Sequence, residues 1–143
     1  MRYILDTNVL VGAVRSPKGA SAELLRRAFK HEFILLCSVP LYLEYEAVLT
    51  RPEHLLAGEI QASDVHSFLD DLARVITPVD IQFLWRPQLR DPADDMVLEA
   101  AVNGQANAIV TFNQKDFLPQ AQSFGLRIMT PQQYFQGVHH GNS

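Results

Sequence analysis

The stretch that decides the fold is RYILDTN, residues 2–8. Its apolar part, residues 3–5, predicts a short buried strand, and Asp6 follows that strand directly. Further apolar runs of strand length lie at residues 33–37, 108–112 and 126–129. Apolar residues at helical spacing lie between and after them, at residues 21–29, 38–49, 63–72, 91–104 and from 130 onward. Short buried strands that alternate with helices predict an α/β fold, a central parallel sheet with helices on both faces in three layers.

Composition predicts an ordinary globular protein. Of the 143 residues, 48% are apolar and 20% are charged, which is typical of one domain. We expect that domain to span residues 1–136 and a flexible tail to follow at 137–143. A single cysteine excludes an internal disulfide, and no apolar run approaches the roughly 20 residues that span a bilayer. With no recognisable signal peptide, these features predict a cytoplasmic protein without a membrane partner.

The net charge of −4 bears on the class of partner. A protein that holds nucleic acid through a broad electrostatic surface is usually basic. A nucleic-acid partner therefore requires that the acidic residues be concentrated where they bind metal. That condition can be examined in the positions of the acids.

Four acidic side chains follow predicted strands or lie soon after them. Asp6 follows the first strand, Glu44 lies early in the helix after the second, and Asp95 lies near the start of a later helix. Asn113 and Asp116 follow the third strand. Ligands of such sheets bind outside the carboxyl ends of the strands, so the four acids are predicted to meet at one edge. An alternative for Asp6 alone is that it caps the next helix.

Three acids compete at the start of the helix at 91–104. Asp91 is a natural N-cap, and Asp94 is placed to interact with the helix dipole, so both have structural reasons to exist. Asp95 shares a stripe with Leu98, one turn later, and that stripe is expected to face the sheet. We therefore select Asp95 as the site residue and keep Asp91 as the alternative.

Glu44 and Glu46 point in different directions. They are two residues apart on a predicted helix, which separates them by about 200° around its axis. Apolar residues flank Glu44, whereas Glu46 lies nearer the outside. Glu44 is therefore predicted to belong to the site and Glu46 to be a solvated charge.

The sequence resembles the PIN-domain nucleases over nearly its whole length. Residues 5–10 (LDTNVL) resemble the opening motif of that family, and residues 38–52 resemble the second acidic block. Residues 91–101 (DPADDMVLEAA) resemble the third block, residues 109–117 (IVTFNQKDF) the fourth, and residues 128–135 the closing segment. Four motifs in order at the right spacing make the resemblance specific. Within the family, the chain is most similar to the VapC-like toxins of bacterial toxin–antitoxin pairs.

The resemblance implies a site and its residues. The positions that match the family's acids are Asp6, Glu44, Asp95 and, at a more variable position, Asp116. The positions that match residues orienting those acids are Asn8 and Thr111. Some members carry an acid where this chain has Asn113, which leaves open whether Asn113 or Asp116 completes the site.

The resemblance also implies an activity. Such proteins cleave single-stranded RNA, are usually homodimeric and are held inactive by a cognate antitoxin. Carboxylate oxygens are the ligands that Mg²⁺ and Mn²⁺ prefer, and a bound cation would reverse the local charge that otherwise repels RNA. Basic residues near the predicted edge could contact the RNA backbone, namely Arg15, Lys18, Arg51, Arg90 and Lys115.

Other classes fit less well. A phosphohydrolase with a nucleophilic aspartate would carry a second Asp two residues after Asp6, where this chain has Asn8. A receiver-like signalling domain would carry a phosphoacceptor Asp after a central strand, but the second strand ends in Cys37 and Ser38. A non-catalytic PIN-like module for RNA binding or assembly remains the alternative, although all the core acids are present.

Overall fold

The structure is a computed structural model that describes residues 1–83 and 88–139. The described strands are β1 (Arg2–Leu5), β2 (Ile34–Cys37), β3 (Ile76–Pro78), β4 (Ala108–Val110) and β5 (Arg127–Met129). The described helices are α1 (Thr7–Arg15), α2 (Ala20–Phe29), α3 (Val39–Leu49), α4 (Pro52–Gly58), α5 (Ala62–Val75), α6 (Pro92–Asn103), α7 (Gln120–Ser123) and α8 (Pro131–His139), with a 3₁₀ helix at Gln114–Phe117.

The five strands form one parallel sheet in the order β3-β2-β1-β4-β5. In its centre Ile4 lies opposite Leu36 on one side and Ile109 on the other, and all three are fully buried. Strands buried on both faces need continuous apolar residues, which explains the unbroken apolar runs in the sequence. The predicted α/β fold with helices around a parallel sheet is confirmed.

The helices that matter for the site pack around the central strands. Helix α6 contacts β1, β2 and β4, and α3 packs against α1, α5 and α6. Helix α2 contacts α1, α5 and α8. Because β1 and β4 are held in the middle of this arrangement, the residues that follow them have well-defined positions.

Three helices begin with a side chain that accepts a hydrogen bond from a backbone amide of the first turn. The Ser38 hydroxyl accepts a hydrogen bond from the Leu41 amide (3.3 Å), and the Thr130 hydroxyl accepts one from the Gln133 amide (3.1 Å). Asp91 also caps its helix, as described below. Helix α5 begins at Ala62, with a reciprocal capping box between Gln61 and Asp64.

Helices α4 and α7, the 3₁₀ helix and strand β3 were not predicted. Helix α4 buries none of its residues, and β3 is a three-residue edge strand that ends in a proline, so neither has a strong apolar pattern. Helix α8 extends to His139, three residues into the segment that was expected to be a tail. The remainder of that tail, residues 140–143, lies outside the described residues. None of the helices in the described ranges is long and apolar enough to cross a membrane.

Cys37 provides a first test of the core. It is 3% exposed at the end of β2, and burial raises the pKa of its thiol to about 12. Because the thiolate is the reactive form, we expect iodoacetamide at about pH 8 to alkylate the native protein at least about a hundredfold more slowly than the urea-unfolded chain. Mass spectrometry over time measures both rates. Equal rates would show that β2 opens readily.

Candidate functional site

The site lies where β1 and β4 end side by side. From β1 the chain builds β2 and β3 on one side, and it later returns to build β4 and β5 on the other. Parallel sheets open a crevice at the carboxyl ends of the two strands where the direction of winding reverses. Asp6 follows β1 and Thr111 follows β4, so both lie at this crevice.

Asp6 and Thr111 form a buried pair. The Thr111 hydroxyl donates a hydrogen bond of 2.7 Å to the Oδ2 of Asp6, and Asp6 is 7% exposed while Thr111 is fully buried. Asp6 occupies the N-cap position of α1, but its side chain makes no capping hydrogen bond there. The carboxylate is therefore held by the neighbouring strand end instead of serving as a helix cap.

Asn8 ties the two strand ends together. Its amide donates to the Thr111 hydroxyl (3.4 Å), and its Oδ1 accepts from the Phe112 backbone amide (3.3 Å). The Asn113 backbone amide also donates to the Thr111 hydroxyl (2.9 Å). Because the Asn8 and Asn113 amides both donate to the Thr111 hydroxyl oxygen, the hydrogen of that hydroxyl points to Asp6. Asn8 and Thr111 thus hold Asp6, as expected from the sequence.

An open cleft of about 620 Å³ lies between the start of α6 and the 3₁₀ helix. Asp6 does not line this cleft, but it is near enough to Asp91 and Asp116 for their charges to affect it. Asp91 and Asp94 reach it from α6, and Asp116 reaches it from the 3₁₀ helix. We call Asp6, Asp91, Asp94 and Asp116 the acid cluster. The described residues that line the cleft are Leu89, Arg90, Asp91, Asp94, Lys115, Asp116, Leu118 and Gln120.

The members of the acid cluster sense one another's charge. Burial, together with the charges of Asp6, Asp91, Asp116 and Asp95, raises the pKa of Asp94 to about 7. Burial also raises the pKa of Asp6, assisted by the charges of Asp116 and Asp91, although the hydrogen bond from Thr111 opposes the shift. Mutual repulsion of this kind is common where carboxylates share a functional site.

The structure corrects the choice between Asp94 and Asp95. Asp95 is 3% exposed, but its Oδ1 accepts hydrogen bonds from the backbone amides of Gln88 (3.2 Å) and Leu89 (3.0 Å). It therefore anchors the segment before α6, and Asp94 is the residue that lines the cleft. Asp91 caps α6, its Oδ1 accepting from the Ala93 amide (2.9 Å), and it lines the cleft as well.

Glu44 and Glu46 are both half-buried on α3, and they have different neighbours. Glu46 lies 3.5 Å from His66 in an exposed ion pair. Glu44 is half-buried on α3, next to Tyr45, whose hydroxyl donates a 2.6 Å hydrogen bond to the Leu5 carbonyl at the end of β1. Helix α3 is thus fixed beside β1. Glu44 is not among the described residues that line the acidic cleft.

The basic residues and the asparagine that the sequence suggested for the site lie in different places relative to the cleft. Lys115 and Arg90 line the cleft, but Arg15 lies in the last turn of α1, about 12 Å along the helix from its start beside Asp6. The expectation that Arg15 lies at this edge is therefore wrong. Asn113 is exposed, and it contributes only its backbone amide, which donates to the Thr111 hydroxyl. Asp116, in contrast, lines the cleft.

The donor set fits a hard divalent cation. The acid cluster offers carboxylate oxygens, and the repulsion among them would be relieved by positive charge. Among residues 1–83 and 88–139, no three acidic, histidine or cysteine side chains are close enough together to enclose an ion as they stand. The acids instead surround an open cleft, which suits a cation such as Mg²⁺ that keeps several of its own waters.

A conservative substitution tests the role of the Thr111 hydroxyl. Thr111→Val keeps the shape of the side chain but leaves Asp6 and two amide donors without their partner. We expect the free energy of unfolding to fall by about 1–3 kcal/mol, because buried polar groups lose hydrogen bonds. Urea denaturation measures the change, and Thr111→Ser should retain most of the stability. Equal losses in both variants would contradict a specific role of the hydroxyl, because Thr111→Ser retains it.

The chain has recognisable relatives. The PIN domain family matches residues 2–115. No curated protein sequence matches the chain significantly.

Two solved structures share the fold. A chain in the crystal structure of VapBC2 from Rickettsia felis, bound to a DNA fragment from its promoter, has a TM-score of 0.62 and 17% identity, with 91% of this chain and 98% of that one covered. A chain in the structure of VapBC-1 from nontypeable Haemophilus influenzae has a TM-score of 0.60 and 15% identity, with coverage of 92% and 99%. At these identities the likeness establishes the fold.

Proposed function

This chain belongs to the PIN-domain family, and from that premise we propose that it is a metal-dependent endoribonuclease that hydrolyses phosphodiester bonds of single-stranded RNA. The observation that carries the proposal is the acid cluster at the carboxyl ends of β1 and β4, beside an open cleft. Oxygen ligands around an accessible cleft are the arrangement that phosphodiester hydrolysis with Mg²⁺ or Mn²⁺ requires.

Each residue near the cleft has a proposed role. Asp6, Asp94 and Asp116 would hold the cation, together with Glu44 from α3. When bound, the cation supplies Lewis-acid stabilisation of the reacting phosphate and lowers the pKa of a water ligand. Thr111 and Asn8 keep Asp6 oriented through the hydrogen bonds described above.

The remaining cleft residues would bind the substrate. Lys115 and Arg90 lie at the cleft, where their charges can contact phosphates on either side of the bond that is cleaved. Asp95 acts indirectly, because it anchors Gln88 and Leu89 next to Arg90.

We further propose that the protein is the toxin of a cytoplasmic toxin–antitoxin pair, a homodimer that binds a cognate antitoxin. The sequence resemblance to VapC-like toxins supports this role, and so does the shared fold with chains of two VapBC structures. Expression of the chain alone is then expected to slow bacterial growth. Normal growth at high expression of folded protein would remove the toxin role and leave the nuclease proposal in place.

The activity is tested with an end-labelled single-stranded RNA. The purified protein should cleave it in Mn²⁺ or Mg²⁺ and not in excess chelator, and it should act weakly on single-stranded DNA and on duplex RNA. Binding of RNA without cleavage under any of these conditions would favour a non-catalytic RNA-binding module.

Two neighbouring glutamates provide a matched pair in the same assay. Glu44→Gln is expected to lower the cleavage rate at least about tenfold, because it removes a proposed ligand charge. Glu46→Gln should leave the rate unchanged, since Glu46 faces His66 on the exterior. A larger loss in Glu46→Gln would mean that the other face of α3 borders the site.

A further inference from the structure

Phe112 is an exposed aromatic residue at the edge of the site. It lies between Thr111, which holds Asp6, and Asn113, and it is 41% exposed. Phe117, five residues later in the same segment, is fully buried. Leaving an aromatic ring in water forgoes the burial that normally stabilises such residues, so its position calls for a partner.

The ring is also held firmly. The Phe112 backbone amide donates to the Oδ1 of Asn8, which fixes the start of the side chain. The ring itself lies against Gly12, one helical turn after Asn8. A Cβ atom added to Gly12 would lie only 3.1 Å from Cε2 of Phe112 and 3.6 Å from its Cζ. Glycine therefore lets the ring pack against the α1 backbone while the rest of it faces solvent.

We propose that Phe112 is a stacking platform for an unpaired nucleobase of the RNA, next to the phosphate that is cleaved. The inference rests on the proposed ribonuclease function and adds a residue that positions the substrate. Aromatic side chains stack on unpaired bases regardless of their identity, and bases within a duplex are not available for such stacking. A stacking contact at this place would make the site favour single strands without reading their sequence.

The arrangement around the site supports this role. The RNA phosphates can be bound at the cleft, where Arg90 and Lys115 lie. Phe112 follows Thr111 directly, and its ring lies over the first turns of α1. A strand held at the acid cluster can therefore place one base beside the ring. Because the ring is already held by Gly12, ordering it on binding costs little conformational entropy.

Four variants test the platform by their kcat/KM for a short single-stranded RNA. Phe112→Ala and Phe112→Leu are expected to lower kcat/KM about tenfold, since stacking on each base contributes roughly that much. Phe112→Tyr retains the aromatic face and should stay within about twofold of the wild type. Phe112→Leu keeps an apolar side chain against Gly12, so a fall in kcat/KM for this variant would not come from lost packing. Phe83→Ala removes another exposed ring, 63% exposed and near the far end of α6, and should have no effect.

A change in the substrate identifies the base. RNAs that carry one abasic nucleotide at successive positions are cleaved by the wild type and by Phe112→Ala. When the abasic nucleotide is at one position beside the cleavage site, kcat/KM of the wild type should fall about tenfold. The same substrate should leave the already lowered kcat/KM of Phe112→Ala almost unchanged. Dissociation constants of all proteins, measured by fluorescence anisotropy in Ca²⁺, separate binding from chemistry.

The outcomes distinguish the two proposals. Cleavage by the wild type with unchanged kcat/KM and affinity in Phe112→Ala would overturn the platform and leave the nuclease intact. An equal fall in kcat/KM for Phe112→Leu and Phe112→Tyr would also overturn the platform, because the aromatic face would then make no difference. No cleavage by the wild type would contradict the ribonuclease, while affinity that still depends on Phe112 would support stacking.

Discussion

Replacing Asp6 by Asn is expected to lower the rate of metal-dependent RNA cleavage by at least about a hundredfold. Asp6 is the acid at the end of the central strand, and the Thr111 hydroxyl holds it in one orientation. Asparagine has the same shape and can still accept that hydrogen bond, so the fold should persist while the charge is lost. The rate falls because the proposed ligand set loses a carboxylate that no neighbouring acid can replace.

The matched control is Asp70→Asn, which removes one carboxylate from the exposed side of α5. Its rate should equal that of the wild type, and circular dichroism should show that both variants are folded. Single-turnover rates in saturating Mn²⁺ separate weak metal binding from slow chemistry. An Asp6→Asn protein that cleaves as fast as Asp70→Asn would contradict the role of Asp6 or reveal a contaminating nuclease.

The second large effect is expected from the substitutions Asp94→Asn and Asp95→Asn, which should change the melting temperature in opposite directions. In chelator at about pH 8, Asp94→Asn should raise the melting temperature by about 3 °C, roughly 1 kcal/mol for a domain of this size, because it relieves repulsion in the acid cluster. Solvent at the cleft screens that repulsion and keeps the gain small. Asp95→Asn should lower the melting temperature by a similar amount, because two charge-assisted hydrogen bonds to backbone amides are weakened.

The pH dependence of stability follows from the raised pKa of Asp94. A folded-state pKa of about 7, above the ordinary 3.8, means that the folded protein binds the extra proton. The stability contributed by this group is complete below the unfolded pKa and is lost as the pH rises through about 7. In chelator, wild-type stability should therefore decline between about pH 4 and pH 7 more than that of Asp94→Asn.

Added Mn²⁺ discriminates between the two acids. A ligand that binds only the folded state raises its stability, by about 2.7 kcal/mol at a hundredfold excess over the dissociation constant. Asp94→Asn should show a much smaller shift on adding Mn²⁺, and Asp95→Asn should show the full wild-type shift. The reverse result would return Asp95 to the proposed ligand set and make Asp94 a structural residue.

The sequence was sufficient to predict the fold, and it placed Asp6 and Thr111 at the strand ends where the structure brings them together. The unbroken apolar runs around Ile4 and Ile109 required a buried parallel sheet, and Asp6 at a strand end had to be held by a polar partner. Both expectations concern the central strands, where burial restricts the choice of residue type. Of the elements that were not predicted, α4 and β3 lie where little apolar surface is buried.

The choice between Asp94 and Asp95 shows what the sequence could not supply. Periodicity correctly placed Asp95 on the buried side of α6, but a buried carboxylate can be held by backbone amides as well as by a cation. Those amides belong to Gln88 and Leu89, in an irregular segment whose course no residue pattern specifies. In the structure, Asp94 lines the cleft and Asp95 accepts hydrogen bonds from those amides.

The pairing of β1 with β4 has a consequence for the protein during its synthesis. Asp6 is translated among the first residues, but its partner Thr111 comes 105 residues later, and so does the strand that carries it. A chain that is still growing on the ribosome lacks β4, the 3₁₀ helix and α6 until late in translation. The nascent polypeptide consequently cannot assemble its cleft until α6, β4 and the 3₁₀ helix have all been synthesised.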